Sequence, residues 1–349
     1  MRTACACTVG SGRVSFRPPE LCARPQPQSS VQPGTLPGTV CAQPLSAMGT
    51  SRTWYIYTHS HTGSQCRFDP AVNHIYVVLD SVLALRFLKP MSSGRNCPVL
   101  LSCDRSGVAA PTEPGIEVIA KFSSAECGMS GLAREALAAM LAADLHLPVP
   151  EPVLVNLVDG FIEALPPQEQ RSAQLMRSSV YPAFGSARLP AGFAIWTADR
   201  RIPDDMVEQA AEIFAFDALA LNADRRPDNP NCQWNGSTFA IFDHDLTLLA
   251  DQVGTIFAPY PWTPGALDML ASGPGQHLMY NGLRTRAPTL DRLEKSWEAI
   301  SDERLNQYIA ALPESWKSSA GSVTAAVKYL NELRNHLAAA FQELRRVLS

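Results

Sequence analysis

The stretch FDALALNADRRPDNPN, residues 216–231, is the most informative part of this chain for its fold and function. It begins in a predicted helix, 205–221, where Asp205 and Glu208 resemble a capping box, and continues into a loop rich in Asn, Asp and Pro. Asp224 and Asn229 can reach one site from such a loop, the carboxylate to accept a hydroxyl proton and the amide oxygen to ligate a hard cation. A loop of ordinary turn formers is the alternative, and the spacing alone leaves both open.

Downstream of this loop, residues 238–242 (TFAIF) predict a short apolar strand that ends in Asp243, His244 and Asp245. A carboxylate at the exit of a strand is a common way to present a metal ligand, so Asp243 is a candidate. A helix cap or a turn is the alternative for Asp243. We expect His244 to be structural, because no other imidazole clusters with it in the sequence.

Upstream, residues 98–103 and 115–122 (GIEVIAKF) predict two strands, which we expect to form an antiparallel pair. Lys121 lies inside the second strand, and lysine is rare in this arginine-rich chain. An ammonium held over a cleft suits a nucleotide phosphate, whereas a lysine that reaches solvent from a strand end is the alternative.

Glu135 follows fourteen residues later in an Ala- and Leu-rich predicted helix, 132–145. A strand, a loop and two helical turns are enough to fold Glu135 onto Lys121, although a solvated helix face is the alternative for this charge. The order strand Lys, helix Glu, loop Asp-x4-Asn and strand-end Asp matches the parts that kinases use for phosphoryl transfer.

The segments LAREALAAMLAADLHLPVPEPVLVNL (132–157), FDALALNADRRPDNPN (216–231) and FAIFDHDLTLL (239–249) resemble the HipA-like kinase family. More distantly, the chain is similar to phosphatidylinositol kinases and protein kinases. The resemblance covers about residues 90–318. It implies an α+β, two-lobed, protein-kinase-like fold with a small β-rich N-terminal lobe (70–197) and a mostly helical C-terminal lobe (198–349), with adenine between them near residues 196–201.

The resemblance also implies a role for each candidate side chain. Lys121 would contact the α- and β-phosphates of ATP, Glu135 would hold Lys121, and Asp224 would be the catalytic aspartate. Asn229 and Asp243 would bind Mg²⁺, with Asn231 as a rival for the amide role. One departure is the phosphate-covering loop, expected at residues 104–115, which is not G-x-G-x-x-G.

The resemblance implies an ATP- and Mg²⁺-dependent kinase that phosphorylates a protein Ser/Thr or a small-molecule hydroxyl. The nine cysteines, with no C-x-x-C pair, favour free thiols in a reducing cytoplasm, so we expect a cytoplasmic protein. An AMP transferase on the same fold and a non-catalytic nucleotide-binding protein are the alternatives. The sequence does not identify the acceptor, and residues 165–190 read as irregular.

Composition bounds the remaining possibilities. The 349 residues carry 29 basic and 33 acidic side chains, a net charge of −4, so we expect no direct nucleic-acid binding. No apolar run is long enough to predict a membrane span. Residues 1–69, rich in Pro, Ser and Gln, predict a disordered tail. The last predicted helix, 322–348, has a 3,4 apolar repeat that favours packing on its own domain, with dimerisation as the alternative.

Overall fold

The computed structural model describes residues 79–92, 94, 96–105, 115–254 and 258–349. These residues belong to one compact unit, Thr53–Ser349. The predicted tail, 1–69, and most of the expected phosphate loop, 104–115, lie outside the described residues. Within the described part of the chain, no helix is long and apolar enough to cross a membrane.

Strands and helices are mixed, as an α+β fold requires. The strands are β1 (Asp80–Pro90), β2 (Val99–Asp104), β3 (Ile116–Lys121), β4 (Pro152–Leu157), β5 (Ala183–Ala187), β6 (Ala194–Ile195), β7 (Cys232–Trp234) and β8 (Phe239–Ile241). The helices are α1 (Gly128–Asp144), α2 (Gln170–Ser178), α3 (Val207–Leu219), α4 (Tyr280–Leu283), α5 (Asp291–Ala299), α6 (Asp302–Ala311), α7 (Ala320–Asn335) and α8 (Leu337–Leu348).

The first five strands form a closed barrel in the order β1-β2-β3-β5-β4. β1 pairs with β4 in parallel, and the other neighbours are antiparallel. The predicted antiparallel pair is therefore confirmed as β2 and β3, with Leu101 opposite Val118. Small and β-branched side chains fill the barrel, among them Val82, Val99, Val118, Ala120, Val153 and Val155. Lys121 follows the inward-facing Ala120 and alternates onto the outer face of the barrel.

The expectation that residues 165–190 are irregular is wrong, because they contain α2 and β5. β5, with the sequence AFGSA, lacks the β-branched residues that usually predict a strand. Its place between β3 and β4 is set by close packing: a Cβ on Gly185 would lie 2.5 Å from a methyl of Val118 and 2.7 Å from one of Val155. Only glycine fits at this point of the barrel.

The helix predicted at 132–145 is confirmed as α1, which begins four residues earlier, at Gly128, and ends one residue earlier, at Asp144. It is buried on nearly all sides, because it packs on β4 and β5 and on α6 and α7. This explains why its sequence is apolar throughout rather than amphipathic. Its core is continuous with that of the C-terminal helices, whereas the barrel interior forms a separate cluster.

Helix α3 is shorter than predicted, and the predicted capping box is wrong. Asp205 lies in a 3₁₀ turn, Asp204–Met206, and no side chain caps the helix at Met206. The chain after α3 passes through the 222–231 loop into the hairpin of β7 and β8, which pairs with β6. The predicted strand at 238–242 is confirmed as β8.

The single helix predicted at 322–348 is two helices, α7 and α8, which meet at His336, where φ is −116° and ψ is 16°. Its apolar repeat nevertheless predicts burial correctly, since all eight positions lie in the chain's own core. These positions are Val323, Ala326, Leu330, Leu333, Leu337, Ala340, Leu344 and Val347. Packing on its own domain, which the pattern favoured, is therefore confirmed.

Replacing Gly185 with Val should destabilise the barrel by about 1–3 kcal/mol, because the added methyls have no space among Val118, Val153 and Val155. The measurement is urea unfolding followed by circular dichroism. Gly321→Ala is the control: its Cβ in α7 meets nothing within 4 Å, so helix propensity should make it neutral or stabilising. Equal stability of Gly185→Val and wild type would contradict the packing argument.

Candidate active site

The outer face of the barrel meets the helices at a buried ammonium. Lys121 Nζ donates to Glu135 Oε2 at 2.7 Å and to Asp243 Oδ1 at 2.5 Å. The side chain of Lys121 is 11% exposed and that of Glu135 is 3% exposed. The structure thus brings together three of the predicted site residues. Lys121 lies on β3, Glu135 on α1, and Asp243 two residues after the end of β8.

Local structure places each of these side chains. A turn at residues 122–127 connects β3 directly to α1, so Glu135, in the second turn of α1, lies beside the end of β3. Asp243 follows β8 with φ of 63°, in the left-handed region that Asp tolerates better than most residues. Such strained backbone concentrates at functional sites because the surrounding structure must hold it.

The charges of Lys121 and Asp243 stabilise each other, whereas burial raises the pKa of Glu135 despite the ammonium beside it. Burial alone would lower the pKa of Lys121, but the carboxylates of Glu135 and Asp243 raise it above its usual value. Burial would raise the pKa of Asp243, but the ammonium of Lys121 and its hydrogen bond lower it. Lys121 and Asp243 are therefore a charged pair at neutral pH.

Two residues that sequence reasoning missed complete the cluster. Oxygens of Glu135, Asp243 and Asp245 lie within 4.8 Å of one another. Asn96, in the β1–β2 connection, donates through Nδ2 to Asp245 Oδ2 at 2.5 Å and accepts from the backbone NH of Cys127 through Oδ1 at 2.9 Å. The Asp-His-Asp sequence at 243–245 could have indicated Asp245 as a further carboxylate of the site. Nothing in the sequence around Asn96 indicated its contact with Asp245, which lies 149 residues further along the chain.

The structure also brings Asp224 and Asn229 together. Asn229 Nδ2 donates to Asp224 Oδ2 at 2.7 Å, and the backbone NH of Asp224 donates to Asn222 Oδ1 at 3.1 Å. Backbone hydrogen bonds in both directions between Arg226 and Asn229 close the loop. The Asp-x4-Asn spacing therefore forms one tight turn with both polar groups at its neck.

A buried charge network fixes this loop to the protein. Asp217, at the end of α3, accepts from Arg225 Nε at 2.5 Å and contacts His277 Nε2 at 2.9 Å. Arg225 also donates to the carbonyls of Asn231 and Phe242, and Phe242 immediately precedes Asp243. One arginine thus joins the Asp224 loop to the strand end that carries Asp243.

Asn231, the rival for the amide role, is buried and contributes its carbonyl to this network. Its backbone oxygen also accepts from the NH of Phe242 at 3.2 Å. Its side-chain Nδ2 is buried without a hydrogen-bond partner within the described part of the protein. His244 is buried beside Arg225, with 3.3 Å between His244 Nε2 and Arg225 Nη2, in agreement with the structural role expected for it.

A lysine held by a helix carboxylate, beside a strand-end aspartate and an Asp–Asn loop, is the arrangement found in kinases. The sequence model of the HipA-like kinase family matches residues 118–344, more than half of the chain. The chain therefore belongs to the HipA-like kinase family, as its resemblance indicated.

A solved structure, that of the Helicobacter pylori proinflammatory kinase CtkA, is similar over 76% of this chain and 98% of that chain, at 12% sequence identity and a TM-score of 0.40. No curated protein matches the chain.

Protonation of the buried network should make stability depend on pH. Burial, followed by the charge of Arg225, lowers the pKa of His244 from 6.5 to about 3. The unfolded chain then binds the proton first, so stability falls as the pH drops below about 6.5. From pH 7 to pH 5 this single histidine should cost about 2 kcal/mol of unfolding free energy.

His244→Gln keeps a polar side chain beside Arg225 and removes this titration. Urea unfolding at pH 7 and pH 5 should show a smaller loss of stability in the variant than in wild type, by about the contribution of one histidine. The same loss in both proteins would show that His244 does not carry the dependence.

Proposed function

We propose that this chain is an ATP- and Mg²⁺-dependent kinase that transfers the γ-phosphoryl group of ATP to a hydroxyl. The observation that carries the proposal is the buried contact of Lys121 with Glu135 and Asp243, in a member of a kinase family. An ammonium fixed in this way is a preorganised charge, which stabilises a phosphoryl group in transfer without moving at the time of reaction.

Lys121 is proposed to contact the α- and β-phosphates, and Glu135 to hold it in place. Glu135 suits this role because it is almost fully buried and its hydrogen bond to Lys121 fixes the direction of a flexible side chain. The side chain of Lys121 is 11% exposed, so a small part of it remains accessible to a ligand.

The residues present fit a magnesium ion. Oxygens of three carboxylates, of Glu135, Asp243 and Asp245, lie within 4.8 Å of one another, and carboxylate oxygens are the ligands that a hard divalent cation prefers. We propose that Asp243 and Asn229 hold Mg²⁺ and that Asp245 supports the site. We assign the amide role to Asn229 rather than to Asn231, because the hydrogen bond from Asn229 to Asp224 places it at the acidic neck of the loop.

Phosphate cover is proposed to come from the β1–β2 connection, residues 91–98, instead of from residues 104–115. In protein kinases a Gly-rich loop covers the phosphates, and here Asn96 ties this connection to Asp245. The connection contains Gly94 with φ of 106°, a conformation that favours glycine.

We propose that the nucleotide lies between a β-rich lobe, 70–197, and a helical lobe, 198–349. Trp196 is buried with its ring edge-on to Trp234 and Phe239, so it belongs to the core. The adenine is therefore assigned to the segment that follows Trp196, residues 197–201.

In the proposed reaction, Asp224 accepts the proton of the acceptor hydroxyl while the loop holds its carboxylate in place. Asn222 and Asn229 supply that support through their contacts with the backbone and side chain of Asp224. Magnesium, when bound, would neutralise charge on the phosphates. The work of the protein is then positioning and charge stabilisation, with no covalent intermediate on the chain.

ATP and Mg²⁺ together should raise the melting temperature, because a ligand that binds only the native state stabilises it by about 2.7 kcal/mol at a hundred times its Kd. Asp243→Asn should remove the part of the shift that requires Mg²⁺. Asp251→Asn, at an exposed position of a 3₁₀ turn, is the matched control and should keep the whole shift. No shift in wild type with saturating ATP and Mg²⁺ would refute the proposal.

Asp224→Asn keeps the shape of the side chain and removes the proton acceptor. Turnover should fall by about 10²–10⁴, the range for a lost general base, while the ATP-dependent thermal shift persists. The assay is ADP release, with mass spectrometry of the product to distinguish phosphoryl from AMP transfer. Asp228→Asn, four residues along the loop at a side chain that is 75% exposed, should keep wild-type turnover. The reverse result would show that the loop register is wrong.

A further inference from the structure

A cavity of about 360 Å³ lies on the helical side of the Asp224 loop. Its walls come from the end of α3 and the loop that follows, residues 217–226, and from residues 246–253 and 258–270. Lys121, Glu135 and Asp243 do not line it, so among the described residues it is separate from the proposed phosphate site. A second cavity, about 630 Å³ along α2, is lined by residues 162–178, none of which belongs to the proposed catalytic set.

Asp224 connects the first cavity to the chemistry. It lines the cavity wall, and its side chain is 16% exposed. A molecule bound in the cavity would therefore lie against the group that is proposed to accept its proton. The volume is within the range of about 300–1,000 Å³ that is typical of small-molecule sites.

The rest of the wall is mostly apolar. Large aliphatic side chains dominate it: Leu221, Leu246, Leu249, Val253, Leu267 and Leu270. Met269 also lines it and is 51% exposed, which is unusual for so large an apolar residue. An exposed methionine on the wall of an apolar cavity is the kind of flexible contact that adapts to an apolar ligand.

Three polar side chains of the wall, Asp217, Asn222 and Arg226, are engaged within the protein, and Gln252 is an exposed polar residue of the same wall. Asp217 is held by Arg225, His277 and Asn222. The guanidinium of Arg226 pairs with Asp228 at 3.2 Å. A bound anion would meet the carboxylate of Asp224, and the cation of this lining, Arg226, is already paired with Asp224 and Asp228. A polyol would place most of its hydroxyls against aliphatic side chains, where they lack hydrogen-bond partners.

We propose that this cavity is the acceptor site and that it takes a small uncharged alcohol with an apolar body, whose hydroxyl lies at Asp224. This rests on the proposed kinase function and specifies its substrate class. In the reaction the alcohol oxygen bonds to the γ-phosphorus and the bond from that phosphorus to the β–γ bridging oxygen breaks. ADP leaves with the electron pair, and the hydroxyl proton passes to Asp224.

The test uses the full-length protein with ATP and Mg²⁺ and three probes at equal concentration: 1-octanol, sodium octanoate and sorbitol. Octyl phosphate, identified by mass spectrometry, should form with 1-octanol. ADP release should be at least about tenfold faster with 1-octanol than with sorbitol, the discrimination available to an apolar pocket. Octanoate, which has no hydroxyl and carries a negative charge, should give no increase.

Three variants locate the effect. Met269→Glu adds a charge to the cavity at an exposed position and should reduce octyl phosphate formation about tenfold or more, whereas Met269→Leu should retain it. Ile309→Glu, an exposed apolar residue on α6 that is 38% exposed and outside the cavity lining, is the matched surface control and should behave as wild type.

The possible failures are distinguishable. If ATP and Mg²⁺ give no thermal shift, the proposed function and this inference both fall. If they do, and turnover depends on Asp224, but 1-octanol is no better than sorbitol, only the acceptor class is overturned. Phosphorylation of serine-containing peptides without octyl phosphate would also overturn it, in favour of a protein acceptor.

Discussion

The ammonium of Lys121 is the charge on which the arrangement of the site depends. A buried, charged lysine needs partners. Removing its charge from water costs several kcal/mol, which ion pairs and hydrogen bonds within the protein must offset. Here Glu135 on α1 and Asp243 after β8 offset that cost, so the barrel, α1 and the β7–β8 hairpin must all be in place. Loss of one partner of such a buried pair typically costs about 3–5 kcal/mol.

Arg225 holds the 222–231 loop in place, as Lys121 holds Asp243 at the end of β8. Its side chain is fully buried, and it contacts Asp217, the carbonyl of Asn231 and the carbonyl of Phe242. The loop residue Asp224 directly precedes Arg225, and Asp243 directly follows Phe242. The two halves of the proposed chemistry are therefore connected by a rigid buried network, which preorganises a site better than a free loop would.

The sequence predicted the contacts that depend on local order. Lys121 and Glu135 are candidates because each is a charge inside an apolar segment, and Asp243 is one because it is a carboxylate at the exit of an apolar strand. The short turn between β3 and α1 brings Lys121 and Glu135 together. Asp224 and Asn229 are candidates because the six residues 224–229, all Asp, Arg, Pro or Asn, are typical of a tight turn. The Lys121–Glu135 and Asp224–Asn229 contacts join residues 14 and 5 positions apart, so local order predicts them. The Lys121–Asp243 contact spans 122 positions and follows only from the order of the candidate residues along the chain, which matches that of kinases.

Contacts between distant residues, and elements without a sequence pattern of their own, could not be predicted from local order. The contact between Asn96 and Asp245 joins residues 149 positions apart, and no pattern in a single sequence encodes it. β5 has no strand signal of its own, because the valines of β3 and β4 select its small residues. The break between α7 and α8 interrupts a repeat that looked continuous, since both helices bury the same seam.

The geometry around Asp243 shows how one carboxylate can serve both the lysine and a cation. Oδ1 of Asp243 accepts from Lys121, and a carboxylate has two oxygens with about four acceptor positions in total. Lys121 is also held by Glu135, so its position does not depend on Asp243 alone. A cation held by Asp243 and Asn229, as proposed, would therefore share Asp243 with the lysine without displacing it, and each positive charge would remain beside carboxylates that offset it.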